Sequence, residues 1–375
     1  MRNPASTAIL RQTTPAASGT PGGQSSLMPP GGGRTRFAGR RPRGVLRWLR
    51  AASLAFAAPL ICVQAIEADE LISSGLNGDA ADGASSRPAI SGDGRWVVYD
   101  STATNLVEGD GNGQSDVFLY DRQTGETRKV SSAAGGGDAD GPSIGPRVSA
   151  DGSCVVFASM ADNLVDPPIE ESFNGLPVEL PWRRIFLYDV ASGTTRLISK
   201  TYSGEPSDFR SDYATVSDDC SAVAYMSASS AIVEGDTNDA ADVFLYRVST
   251  DTPEVVSVAP DGTTFGNGPS ALDGSALKIS GDGNTVIFSS EADNLVPDDT
   301  NGVADVFIRD LVTGQTSLLS ANATGGSASG PTSGADVAAN GSMFAFKTTA
   351  SDIPEPFLSS CPDAKYCAFL YDQCH

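Results

Sequence analysis

An internal repeat is the feature that most constrains the fold of this chain. Each copy holds a short strand, an Asp-Gly-type turn and an apolar strand, and five copies are recognisable: "PAISGDGRWVVYDS", "PRVSADGSCVVFAS", "ATVSDDCSAVAYMS", "LKISGDGNTVIFSS" and "ADVAANGSMFAFKT". Asp-Gly between two apolar runs is a strong short-range signal for a β-hairpin. The turn residues recur 58 to 68 residues apart, at Asp93, Asp151, Asp219, Asp282 and Asn340. The sequence therefore predicts an array of one β unit.

The second half of each unit adds two more strands. A polar loop leads to a third strand, as in "DVFLYD" or "RIFLYD", and a Gly-containing turn leads to a fourth, as in "TRKVS". Four short antiparallel strands per unit predict an all-β chain, a β-propeller of four-stranded antiparallel blades. We place the propeller at residues 66–375, with repeats that start near residues 88, 146, 213, 276 and 335.

The number of blades follows from the two ends of this array. The fifth repeat stops after its third strand, and Glu70–Ser73 reads as a fourth strand. We therefore expect five blades, with the N-terminal strand completing the last one and removing the sheet edges. The alternative is that further blades lie beyond His375. Cys374, which has no evident partner, favours this alternative.

Residues 1–65 read as a basic, low-complexity leader that ends in a secretory signal peptide. An arginine-rich stretch precedes an apolar core from about Ala51 to Val63, and small residues predict cleavage after Ala65. The start codon could instead be Met28. The apolar run is short for a membrane span. We therefore expect an exported, periplasmic or secreted protein that does not span the membrane and is a monomer.

The acidic balance excludes nucleic acid as a partner. The chain has 25 Lys+Arg and 46 Asp+Glu; nine of the arginines lie in the leader, so the remainder carries 16 basic residues and a formal charge of about −30. Such a surface offers no basic stripe for phosphates.

The cysteines fit an oxidising compartment. Cys62 belongs to the signal segment, and five others follow it: Cys154, Cys220, Cys361, Cys367 and Cys374. Cys361 and Cys367 flank a short loop, and Cys154 and Cys220 lie near the same turn in successive repeats. Two disulfides can form, with one thiol left over; Cys361–Cys367 is the first candidate pair and Cys154–Cys220 is the second, and the spacing leaves the pairing open.

The motif "ISGDGRWVVYDS…DVFLYDRQTGETRKVS" resembles the TolB-like, WD40-like β-propeller repeats of exported bacterial proteins. The resemblance extends over essentially all of residues 67–375. It implies a periplasmic or secreted propeller that acts as a scaffold for protein interactions.

The loops between second and third strands carry oxygen side chains at alternate positions, a pattern similar to the nine-residue calcium loops of some propellers, such as the integrin α-subunit head. The candidate Ca²⁺ ligands are Glu108, Asp110, Asn112 and Asp116 in the first repeat, Glu234, Asp236, Asn238 and Asp242 in the third, and Asp299, Asn301 and Asp305 in the fourth. Alternate residues of a tight turn can converge on an ion that takes six to eight oxygens. Gly113 and Gly302 would permit the positive φ that the turn needs. The alternative is an ordinary Asp/Asn turn without an ion.

The scarcity of histidine argues against most kinds of catalytic site. The only one is His375, which leaves no candidate for a Ser-His-Asp site or a His-ligated zinc site. We therefore expect a non-catalytic scaffold whose partner is a protein in the cell envelope or outside the cell. The insertion 166–184, with Phe173, Trp182 and Arg183–Arg184, is one candidate contact surface. The long loops from fourth to first strands are the other.

One class of enzyme needs no histidine. Five-bladed propellers include glycoside hydrolases that use paired carboxylates. Glu170, Glu171 and Glu179 are the closest candidates for such a pair. This is the alternative function.

Overall fold

The computed structural model describes residues 70–170 and 182–353, together with the backbone of four further strands at 9–10, 172–173, 176–177 and 367–372. The chain divides into two compact units. One unit comprises residues 10–70, of which only Leu10 and Glu70 are described. The other comprises residues 1–9 and 71–375 and contains all five repeats. No helix in the described residues is long and apolar enough to cross a membrane.

The described residues are almost entirely β-strands, turns and loops, as predicted. Before the repeats lie β1 (Ile9–Leu10), β2 (Glu70–Leu71) and a 3-10 turn (Leu76–Gly78). The first sheet contains β3 (Ser85–Ile90), β4 (Trp96–Ser101), β5 (Asp116–Asp121) and β6 (Glu126–Lys129). The second contains β7 (Ser143–Val148), β8 (Cys154–Ser159), β11 (Arg184–Asp189) and β12 (Thr194–Leu197), and its insertion adds a small hairpin of β9 (Ser172–Phe173) and β10 (Leu176–Pro177).

The remaining repeats follow the same order. The third sheet contains β13 (Ser211–Val216), β14 (Ala222–Ser227), β15 (Asp242–Arg247) and β16 (Thr252–Val255). The fourth contains β17 (Lys278–Ile279), β18 (Thr285–Ser290), β19 (Asp305–Asp310) and β20 (Gln315–Leu318). The fifth contains β21 (Thr332–Val337), β22 (Met343–Thr348) and β23 (Cys367–Asp372).

Four antiparallel four-stranded sheets and one three-stranded sheet therefore confirm the predicted strand order within each repeat. The fifth sheet has three described strands, so its completion by Glu70–Ser73, and the count of five blades in a ring, remain predictions.

Successive sheets pack face to face through apolar clusters. Val98 and Leu119 of the first sheet meet Phe157 of the second, and Val156 of the second meets Tyr225 of the third. Corresponding clusters join the third sheet to the fourth and the fourth to the fifth. Inner strands therefore bury both faces, which explains why they read as continuous apolar runs. Sheets stacked in this way are the blades of a β-propeller architecture.

The Asp-Gly-type turns fold through hydrogen bonds between near neighbours. In the first repeat Ser91 Oγ donates to Asp93 Oδ1, which also accepts from the Arg95 amide, at 2.6 and 2.9 Å. The Ser-Asp bond recurs at the turns of Asp151, Asp219 and Asp282. A turn that satisfies its own polar groups can form from residues close in sequence, and four of the five repeats share this one.

Candidate functional site: the acidic loops

The acidic loops of the first, third and fourth repeats share one hydrogen-bond pattern. In each loop the asparagine oxygen accepts from the main-chain amide two residues later, a local turn that starts the third strand. These bonds join Asn112 to Gln114, Asn238 to Ala240 and Asn301 to Val303, at 2.8–2.9 Å. The same asparagines donate their amide nitrogens to the aspartates that begin the third strands, at 3.0, 2.7 and 2.6 Å, and to a main-chain carbonyl. Each asparagine therefore ties its loop to its strand.

The aspartate that begins the third strand is completely buried in all three repeats. Asp116, Asp242 and Asp305 each accept a 2.6 Å hydrogen bond from a buried serine two residues after the fourth strand: Ser131, Ser257 and Ser320. Each serine in turn accepts from the amide that follows the aspartate. Burial raises the pKa of Asp242 to about 7 and that of Asp305 to about 6, because the charged carboxylate loses water.

The turn geometry agrees with the glycine pattern. Gly113 and Gly302 have φ of 65° and 67°, in the left-handed region where glycine has no steric penalty. The third repeat has Asp239 at this position, with φ of 54°. Aspartate is one of the few other residues that adopt this conformation readily.

In the first repeat a lysine lies among the acidic side chains. Lys129 ends β6, and its side chain is only 7% exposed; Nζ lies 3.4 Å from Asp110 Oδ1, 3.6 Å from Asp116 Oδ2 and in close contact with Asp138. Burial would lower the pKa of Lys129, but the carboxylates outweigh it and raise that pKa. Burial raises the pKa of Asp110, and the lysine partly offsets this effect.

In the third and fourth repeats, the aspartates that correspond to Asp110 are buried, and each has one carboxylate oxygen without a hydrogen-bond donor. Asp236 is 8% exposed and Asp299 is 7% exposed. Asp236 Oδ2 and Asp299 Oδ1 are buried and accept no hydrogen bond. Burial raises the pKa of both carboxyl groups.

The first position of the predicted calcium loop lies at the surface. Glu108 and Glu234 are exposed. Each lines a cleft, of about 490 Å³ for Glu108 beside the Leu71–Gly78 segment and about 360 Å³ for Glu234 between the second and third sheets. Within the described part of the chain, no three His, Cys, Asp or Glu side chains form a group that could hold a metal ion. The structure thus brings together Asp, Asn and Asp of each loop, and places the glutamates at cleft edges.

The second repeat has a different arrangement at the same place. Arg184 pairs with Ser159 in register, as Asp116 pairs with Ser101. Its side chain is buried, where Nε donates to the Ser207 carbonyl and Nη1 pairs with Asp162, both at 3.2 Å. Arg184 therefore stabilises the fold and does not belong to an exposed contact surface.

The rest of the predicted contact surface is partly described. Arg183 pairs with Asp212 at 3.1 Å, and the Trp182 ring lies 5.4 Å from the Phe209 ring, between centroids. Phe209 and Tyr202, 37% and 64% exposed, both lie in the loop between the second and third sheets. The Phe173 side chain, Glu171 and Glu179 lie outside the described residues, and Glu170 is exposed.

The predicted disulfide between Cys154 and Cys220 is confirmed. It joins the second and third sheets across a sequence separation of 66 residues, with the Cα atoms 6.1 Å apart. A disulfide fits an exported protein. The expected Cys361–Cys367 bridge and Cys374 fall outside the residues whose side chains are described.

Sequence reasoning missed the buried basic residues of these sites. Lys129 is 19 residues from Asp110, and the two meet only because β6 pairs beside β5. The sequence held one signal of this difference. The fourth repeat resembles the first in most respects, but it has Leu318 where the first repeat has Lys129.

Comparisons with known proteins show only distant likenesses. No family model matches the chain, and no curated protein matches it. Among solved structures, TolB from Acinetobacter baumannii is similar at 14% identity and a TM-score of 0.41, over 82% of this chain and 55% of that one. The chain thus spans about half the length of that protein.

Two further structures are similar at the same level. A putative TolB from Agrobacterium tumefaciens matches at 15% identity and a TM-score of 0.44, over 81% of this chain and 80% of that one. Porphyromonas gingivalis dipeptidyl peptidase 4 matches at 14% identity and a TM-score of 0.44, over 76% of this chain and 38% of that one. Likenesses at these scores do not establish a family or a function.

Proposed function

We propose that this chain is an exported, non-catalytic β-propeller that serves as a scaffold for a protein partner in the cell envelope or outside the cell. One observation carries the proposal: the completely buried carboxylates that begin the third strands are each used inside their own repeat. Asp116, Asp242 and Asp305 each hold the serine that closes their own blade. Three copies of one structural device support a scaffold, because a catalytic pair needs two carboxylates with different environments.

The proposal includes a closed ring of five blades. Ser131, Ser199, Ser257 and Ser320 each accept a hydrogen bond from an amide of the neighbouring third strand, at 2.9–3.2 Å. Ser73 occupies the corresponding position before the first sheet. It is 1% exposed, and its Oγ has no hydrogen-bond partner. In a closed ring the Ala368 amide of β23 would donate to it.

Calcium stabilisation is also part of the proposal. The buried Asp-Asn-Asp sets of the acidic loops support it, since carboxylate and carbonyl oxygens are the ligands that calcium prefers.

The partner-binding surface is proposed to include Trp182 and Phe209. Paired aromatic rings at the edge of a long loop are typical anchors of protein interfaces. The excess of acidic residues, which gives the chain a net charge of −21, favours a partner with a basic surface.

Affinity capture tests this function. The immobilised protein is incubated with envelope and secreted fractions in calcium buffer, beside a variant with Trp182→Ala and Phe209→Ala. We expect a saturable partner whose affinity falls at least about tenfold in the variant, as for anchors worth more than about 1.4 kcal/mol. Val312→Ala, at a residue 75% exposed in another repeat, is the control and should bind normally. Hydrolysis of a glycoside that depends on one carboxylate would instead identify an enzyme.

A further inference from the structure

The position between the acidic loop and the fourth strand takes a positive charge in two of the repeats. In the first repeat the charge is the Lys129 ammonium, which reaches Asp110 and Asp116 within 3.6 Å. In the second repeat the third strand begins with Arg184, where the third strands of the first, third and fourth repeats begin with an aspartate. Its guanidinium bonds the Ser207 carbonyl, the counterpart of the Ala139 carbonyl that Asn112 bonds in the first repeat. Here the protein supplies its own cation.

The third and fourth repeats keep the aspartates and lack the cation. The register of the fourth strand identifies the counterparts of Lys129: Lys129 pairs with Phe118, Val255 with Phe244, and Leu318 with Phe307. Both replacements are apolar. Asp138, the third carboxylate around Lys129, becomes Ser327 in the fourth repeat; Asp138 and Ser327 accept from the Gly111 and Thr300 amides respectively, both at 3.0 Å. In the fourth repeat this hydrogen bond is thus kept although the ammonium is absent.

The loss leaves an acceptor without a donor in each repeat. Asp236 Oδ2 and Asp299 Oδ1 are the counterparts of the carboxylate that Lys129 contacts, and both are buried without a hydrogen bond. Asp242 and Asp305, beside them, already use both of their oxygens. A buried carboxylate oxygen that has no donor is costly.

We propose that the third and fourth repeats each bind one calcium ion, between Asp236 and Asp242 and between Asp299 and Asp305, at the position that the Lys129 ammonium fills in the first repeat. This inference rests on the proposed calcium stabilisation and narrows it to two of the three acidic loops. The first loop carries its own cation and binds no ion.

The ligand chemistry selects calcium. Each site offers the carboxylate oxygens of two aspartates, which are hard ligands of the kind that calcium takes. Main-chain carbonyls and water can complete a shell of six to eight oxygens, and the irregular geometry of calcium tolerates such a mixed set better than the strict octahedron of magnesium.

Calorimetric titration and thermal unfolding of the chelator-treated protein test the proposal. We expect two calcium ions per chain, one ion for Asp236→Asn and for Asp299→Asn, and none for the double variant. Asparagine keeps the side-chain shape and removes the charge. Calcium at 100-fold over its dissociation constant should raise the melting midpoint by about 5–10 °C per site. Asp110→Asn is the matched control and should still bind two.

A gain-of-function variant sharpens the test. Lys129→Leu installs the residue of the fourth repeat in the first, and we expect a third calcium ion whose binding is lost again in Lys129→Leu with Asp110→Asn. If Lys129→Leu does not fold without calcium but folds in its presence, the proposal is equally supported.

Three results would overturn it. The first is a wild-type melting midpoint that is the same in calcium and in chelator. The second is calcium binding that survives unchanged in the single Asp236 and Asp299 variants. The third is equal stabilisation by magnesium or sodium chloride. Partner capture is measured separately, so its loss alone, with calcium binding intact, contradicts the scaffold function and not this inference.

Discussion

At the scale of single residues, Asp121 illustrates how a surface turn acquires its charge pattern. It ends β5 and accepts two hydrogen bonds from the Arg95 guanidinium, at 3.0 and 2.7 Å. This pair lowers the pKa of Asp121 to about 2. Because the folded pKa lies below the unfolded value, the interaction stabilises the protein above about pH 3.8. That stabilisation is lost as the pH falls towards 2.

We therefore expect Arg95→Met to raise the pKa of Asp121 towards 3.8. Carboxyl-carbon NMR titration of both proteins, from neutral pH downwards, measures the change. Asp261 is an internal control: its pKa is also about 2, but hydrogen bonds from Thr264 and Thr263 lower it and no arginine takes part. An Asp121 pKa that stays near 2 in Arg95→Met would show that backbone donors such as the Gln123 amide hold it there.

At the scale of the element, the hairpin turn between β13 and β14 lacks the glycine that the other repeats have at its left-handed position. Gly94, Gly152, Gly283 and Gly341 occupy the left-handed position of their turns, with φ of 68–73°. Cys220 has φ of 59° at the same position. A side chain there costs about 1–2 kcal/mol. The bridge to Cys154 accounts for a cysteine where glycine fits better, since it closes a long loop between two sheets.

Two double variants separate these effects. Cys154→Ala with Cys220→Ala loses the bridge and keeps the strained turn, and we expect the free energy of unfolding to fall by about 2–4 kcal/mol. Cys154→Ala with Cys220→Gly should recover about 0.5–1 kcal/mol of this loss, because glycine adopts the turn freely but has more entropy when unfolded. Urea unfolding measures both. Equal stability of the two variants would mean that the turn is not strained.

At the scale of the whole molecule, an apolar residue after each fourth strand packs against the next sheet, and Ile72 of the N-terminal segment makes a similar contact with the first sheet. Ile72 packs with Val97 and Tyr99 of the first sheet, much as Val130 packs against the second. Tyr99 Oη donates to the Ile72 carbonyl at 3.2 Å. Ile72 therefore packs on the first sheet as the end of a preceding fourth strand would.

Hydrogen exchange tests whether that strand belongs to the fifth sheet. If Ser73 accepts from the Ala368 amide, this amide should be protected in the complete chain and should exchange at least about tenfold faster when residues 66–73 are deleted. The Val243 amide, which donates to Ser257 in the interior of the array, should exchange equally in both proteins. An Ala368 amide that exchanges at one rate in both would exclude closure by this segment.

The sequence by itself determined what depends on near neighbours. The hairpins, the Asp93-type turns and the glycine conformations at Gly113 and Gly302 could be predicted, because their hydrogen bonds and steric limits involve residues only a few positions apart. The Cys154–Cys220 bridge could be predicted as well, because the repeat assigns both cysteines to corresponding turns. The strand order within each repeat followed from the same periodicity.

Only the tertiary structure decided which charges are compensated. Lys129 meets Asp110 and Asp116 through the register of two strands. Arg184, which the sequence analysis placed in a contact surface, is buried by the packing of its blade. Charge compensation depends on distances across strands and on loss of water, and neither is written in residue spacing. For the same reason, three loops of one sequence pattern became two kinds of site: one filled by a lysine, and two with a buried oxygen that lacks a partner.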